Sequence, residues 1–219
     1  MDVHYYLKEG AERSSCQDNL KELEPVCWFF ANENHGMFPR LSSAPGCLMF
    51  ETKDVYPKYL KEPRNLVCPS QFTEAMGKLS PGLLVNDQSY FYLGYLVSND
   101  AEVESFCEVY RHRMTAGQPM DGDITVPKGK GTKGGETLYR LCEGFERFLI
   151  TDINNPGAAN VSIPILIEWP KRPPFGRAGG NILFADGHSE YENYPGRWPM
   201  TERTVQALEQ IHALQQEQK

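Results

Sequence analysis

The pair Asp186-Gly187 constrains this chain more than any other two residues. It stands between an apolar alternating run, "NILF", and a polar-aromatic run, "HSEY". Asp-Gly between two such runs is the strongest local signal for a tight hairpin, because a type I′ turn needs positive φ at both central residues and this dipeptide tolerates it. The segment 181–191 therefore predicts two antiparallel strands. A two-residue loop pairs Ala185 with His188 and Leu183 with Glu190, placing Ile182, Phe184 and Tyr191 on the opposite face. His188 is then expected beside the turn on the same face as Glu190.

Such a hairpin needs a larger body to pack on, and 219 residues supply one core with decorations. The net charge of −7 repels phosphate backbones, and no basic stripe interleaved with aromatics is present, which excludes nucleic acid as a partner. No apolar run approaches the roughly 18 residues that span a bilayer. The opening "MDVHYYLKEGAERSS" has neither the basic nor the apolar region of a secretory signal.

Helical periodicity appears over 13–31, with Cys16, Leu20, Leu23, Cys27, Phe30 and Ala31 on one stripe and Ser14 or Ser15 as N-cap. Pro25 is expected to kink or restart this helix, and Gly36 and Pro39 to stop it. A short helix follows around 53–60, and "SYFYLGYLV" (89–97) reads as a strand. Asn99 and Glu102 have the spacing of a capping box ahead of a helix buried through Val103, Phe106, Cys107, Tyr110 and Met114. The Gly/Lys-rich stretch 120–136 has no period and reads as an exposed, mobile loop. Leu138, Leu141, Cys142, Phe145, Phe148 and Leu149 predict a third helix, and "SIPILIEWP" a strand. Thr201 caps a last helix with Val205, Leu208 and Ile211 or His212 turned inward and a frayed tail.

Candidate chemistry is sparse. Asp186, His188 and Glu190 offer acid/base or metal-ligating groups, although turn chemistry alone accounts for the first and solvation for the others. "DINNPGAAN" (152–160) supplies Asp152, Asn154 and Asn155 as hard oxygen donors of the kind calcium takes, and reads equally as an Asx-turn loop. "GKGTKGGE" lacks the order of a phosphate-binding loop, and no H-E-x-x-H or G-x-S-x-G occurs. The histidines at 4, 35, 112, 188 and 212 nominate no triad. Six cysteines have no zinc spacing; Cys107 and Cys142 fit buried thiols, and Cys47 with Cys68 is the expected bridge in an oxidising compartment.

Four segments, "RSSCQDNLKEL…FFANENHGMFP", "VYPKYLKEPRNLVCPS", "LCEGFERFLITDINNP" and "GGNILFADGHSEYENYPGRWPMT", together resemble the prepilin-like and pseudopilin-like proteins with an H-X9-DG C-terminal signature, abundant in planctomycete, verrucomicrobial and related bacteria. The likeness runs in order from about Arg13 to Thr204. It departs from the signature at Gly176, where the family has His, and the apolar half of the pilin helix with its processing site is missing. The resemblance implies an α+β fold in which a pilin-like N-terminal helix packs on an antiparallel sheet head with additional helices. Its implied divisions are 1–36 as helical spine, 37–200 as head and 201–219 as C-terminal helix and tail.

The implied function is non-enzymatic: a pseudopilin-like subunit of a type II secretion or type IV pilus-like filament. Its expected partners are copies of itself or other pilin-like subunits, in the periplasm or at the cell surface, with membrane contact only through a segment absent from this chain. The rival expectation is a calcium- or glycan-binding surface module, motivated by 11 Tyr, 3 Trp and carboxylates near turns. The two coincide if a head carries structural calcium, for which Asp186, His188, Asp152 and Asn154 are the candidates.

Overall fold

The computed structural model describes residues 3–69, 71–149, 163–170 and 178–215. The chain begins with α1 (Val3–Glu33), one continuous helix of 31 residues that is about 46 Å long at 1.5 Å per residue. It starts well before the expected serine cap and runs through Pro25. Tertiary packing outweighs the lost backbone hydrogen bond there: Cys16, Leu20, Leu23, Val26, Cys27 and Ala31 all lie in the core. The Gly36 N–H, at φ +77°, donates to the Ala31 carbonyl at 2.9 Å and closes the helix where sequence places its end.

Between α1 and the sheet the chain is mostly turns, with only a short α2 (Thr52–Val55) where a helix to residue 60 was expected. The sheet has four strands, all antiparallel, in the order β1-β4-β5-β6: β1 (Tyr90–Tyr92), β4 (Pro164–Glu168), β5 (Gly179–Phe184) and β6 (Ser189–Asn193). Every residue of β1, β4 and β5 is buried. The hairpin β5–β6 packs against α1, where Gln17 donates to the Ser189 carbonyl at 2.7 Å and Asn181 to the Arg13 carbonyl at 3.2 Å. At Gly180 a Cβ would stand 2.6 Å from the Glu168 carbonyl oxygen and 2.9 Å from the Met200 methyl, so the close approach of β4 requires glycine.

On the other side of the chain order, α3 (Asp100–Thr115) and α4 (Glu202–His212) pack together. Both expected caps form: Asn99 accepts from the Glu102 N–H and Thr201 from the Thr204 N–H. The Glu102 carboxylate reaches back past the cap to accept from the Ser98 N–H at 2.7 Å, one residue before the Asn99 N–H that a capping box would use. Asp100 then joins the two helix starts by accepting from Thr201 and from the Thr204 hydroxyl at 2.8 Å.

Three expectations fail here. Residues 120–136 are mostly exposed, as expected, but they are ordered against the body: β2 (Ile124–Thr125) pairs with β3 (Thr137–Leu138), Met120, Ile124 and Val126 are buried, and the Thr132 hydroxyl donates to the Leu96 carbonyl at 2.8 Å. Its glycines satisfy turn geometry, and Glu102 accepts from the Lys133 N–H at 2.9 Å. The expected helix from Leu138 is extended chain. Arg140 pairs with Tyr95 and Cys142 with Met37, and only Phe145–Phe148 forms a 3-10 turn. A segment buried on both sides carries no polar face, so its period cannot separate helix from strand. Gly144, at φ +68°, also breaks the pattern.

The disulfide joins Cys16 to Cys68, with Cα atoms 5.5 Å apart, and not Cys47 to Cys68. The helix carries Cys16 against the turn that follows residues 63–66, where Asn19 also donates to the Val67 carbonyl at 3.2 Å. Cys47 is instead a buried thiol outside the disulfide, as are Cys27, Cys107 and Cys142. Buried apolar residues from Cys16 to Ile211 form one cluster, so α1, the sheet and α4 share a core.

Candidate functional site

The expected site at the hairpin tip is a turn with a one-residue register change. The Phe184 N–H donates to the His188 carbonyl and the Gly187 N–H to the Phe184 carbonyl, both at 3.0 Å, and Gly187 alone has positive φ, at +85°. This is a three-residue loop over Ala185, Asp186 and Gly187, with glycine in the left-handed position that closes such loops. Leu183 consequently pairs with Ser189 and Ile182 with Glu190. His188 and Glu190 do share a face, but with Ile182 and Phe184, while Tyr191 falls with Leu183 on the other.

Within the turn, Asp186 accepts from the His188 N–H at 3.1 Å and its carboxylate meets the imidazole Nδ1. The His188 ring lies flat on Phe184, with centroids 4.5 Å apart. The tip leans on α1, since a Cβ at Gly187 would come within 2.9 Å of the Glu24 carboxylate. These contacts spend Asp186 and His188 on local structure. Among the described residues the only trio of His, Cys, Asp or Glu close enough to share a metal is Cys16, Cys68 and Glu168, and its sulfurs form the disulfide. Asp152 and Asn154, the other calcium candidates, lie outside the described residues, as does Gly176.

Three of the buried thiols, Cys27, Cys47 and Cys107, are poor nucleophiles. Burial pushes Cys47 and Cys107 up to about 12, and Cys27 still higher.

A second polar centre, around Asp87, escaped the sequence. This carboxylate is 1% exposed. It accepts from the Leu48 N–H at 2.8 Å, from Gln215 Nε2 at 2.9 Å and from His212 Nδ1 at 3.1 Å. Its own carbonyl accepts from the Trp169 indole at 2.6 Å. One residue thus gathers the turn at Leu48, the end of β4 and the end of α4. The hydrogen bond to Asp87 holds the His212 pKa above its ordinary value, against the opposing effect of partial burial. The inward partner on α4 is Ile211, and His212 packs beside it at the rim. A histidine held by a carboxylate 125 residues away leaves no local sequence pattern.

The third feature is α1 itself. None of the described side chains from Leu7 to Ser15 is buried, whereas the stripe from Cys16 onward is. Leu7 is 69% exposed and Phe29 60%. An ideal helix places these two about 40° apart and opposite the buried stripe. Among the described residues no helix is long and apolar enough to cross a membrane. Compared with family models, curated proteins and solved structures, the chain matches none.

Proposed function

We propose that this protein is a pilin-like, non-enzymatic assembly subunit of a type II secretion or type IV pilus-like filament, working in the periplasm or at the cell surface. The observation that carries the reading is the division of α1. Its second half is embedded in an antiparallel sheet head, whereas the described side chains from Leu7 to Ser15 stay unburied and meet the hairpin at Arg13, whose guanidinium lies 4.1 Å from the centre of the Tyr191 ring. A helical segment with no buried side chain gains little from propensity alone and is normally stabilised by packing, so this half calls for a partner. Leu7 and Phe29 face away from the head and offer apolar contacts to a neighbouring copy or a related subunit.

The disulfide supports the location. Cys16–Cys68 fixes the helix to the head across a separation of 52 residues, and such bonds persist in oxidising compartments. Size-exclusion chromatography with light scattering, run over a concentration series with and without millimolar calcium, tests the reading. Association that grows with concentration is expected. A monomer at every concentration in both buffers would overturn it.

A further inference from the structure

We propose that the cavity beside Asp87 is a binding site for a neutral saccharide, seating one or two pyranose units at a chain end. The cavity has a volume of 320 Å³ and is lined by Gln88, Trp169, Pro170, Glu209, His212 and Ala213. That lies at the small end of the roughly 300–1,000 Å³ of ligand pockets and suits a sugar ring better than a large cofactor.

Its walls are held from behind. Trp169 extends the β1–β4 ladder through its N–H to the Ser89 carbonyl at 3.0 Å, and its ring packs on Phe91 with centroids 4.6 Å apart. The indole N–H is already spent on the Asp87 carbonyl, so the ring offers the cavity an apolar surface in a fixed pose. His212 stands edge-on to that ring at 5.7 Å, and its Nδ1 is spent on the Asp87 carboxylate. The nitrogen left for a ligand is Nε2, which has no partner among the described residues. Asp87 therefore orients both the stacking wall and the hydrogen-bonding wall, and neither must be ordered when a ligand arrives.

The chemistry selects the ligand class. Trp169, Pro170 and Ala213 give a surface for the C–H face of a pyranose. The Gln88 amide, the Glu209 carboxylate and His212 supply both donors and acceptors for hydroxyl groups around it. Glu209 and His212 sit three residues apart on α4, one turn along the same face. Among the described residues around the cavity, the Glu209 and Asp87 carboxylates outnumber the cationic group, His212, and the chain carries −7 overall, which opposes phosphates and other anions. This site stands on its own observations and does not depend on assembly through α1.

The test is a two-dimensional NMR titration of the whole protein with cellotetraose, chitotetraose and maltotetraose at millimolar concentrations. At least one of the three is expected to shift the Trp169 indole and His212 ring signals saturably. Gln88 and Glu209 are both exposed, so the double variant Gln88→Ala, Glu209→Ala keeps the fold, checked by circular dichroism. Losing two hydrogen-bonding groups should weaken the binding by about tenfold. Silence with all three sugars, or a titration unchanged in the double variant, overturns the proposal. The light-scattering result reports on the assembly reading alone, so failure of either is separable from failure of the other.

Discussion

The two halves of α1 belong to one helix and have opposite relations to the rest of the molecule. From Cys16 to Ala31 the helix lies in the common core, tied by a disulfide and by side-chain bonds to β6 and to the turn at Val67. From Leu7 to Ser15 it buries none of its described side chains. Helical periodicity over 13–31 therefore traced burial, and it marked where the core begins, not where the helix does. What the contrast teaches is that backbone conformation continues past the point where tertiary support stops, and that the unsupported part is where a partner contributes most.

The largest effect that would sharpen this contrast comes from the disulfide. Replacing both partners, Cys16→Ala with Cys68→Ala, should cost about 4 kcal/mol for a loop of this length, read as a lower urea midpoint. A variant as stable as the parent would mean that the embedded half needs no tether. Next, Leu23→Ala, at a fully buried position, is expected to cost about 3 kcal/mol by leaving a cavity.

The far end of the chain supplies a control, since α4 is anchored through His212 and Gln215 to Asp87. Asp87→Ala strands buried donors and should cost on the order of 2–3 kcal/mol. The His212 pKa is raised in the folded state, so its stabilising contribution is complete below the unfolded value near 6.5 and fades as pH rises through the higher folded value. Asp87→Asn should lower the His212 titration midpoint in NMR and flatten that dependence; an unmoved midpoint would mean that Asp87 does not set it. The smallest effect belongs to the free half: Leu7→Ala, in the isolated protein, should change stability by less than about 0.5 kcal/mol. A loss as large as that of Leu23→Ala would break the comparison.

What the sequence disclosed was local. The caps at Asn99 and Thr201 are decided within three residues, and both form as read. The Asp-Gly turn was legible as a hairpin, yet its register was not, because a three-residue loop and a two-residue loop share the dipeptide and differ in whether Asp186 or only Gly187 takes positive φ. That single residue moves Tyr191 to the other face. The stretch from Leu138 is apolar at both helical and strand spacing, and pairing with Tyr95 and Met37 decided it. Cys16 was read as one more stripe position of α1, and only its placement against the turn at Cys68 makes it a bridge. The Asp87 centre was invisible for the same reason: Leu48, Trp169, and His212 with Gln215 meet there from three distant segments.

The measurement that tests the central claim most directly is negative-stain electron microscopy of the parent protein and Leu7→Glu across a matched concentration series. The account predicts ordered filaments or rings from the parent and their loss in the variant, with the unfolding midpoint of the head unchanged. Isolated monomers from the parent at every concentration, or assemblies indifferent to the charge at position 7, would contradict it.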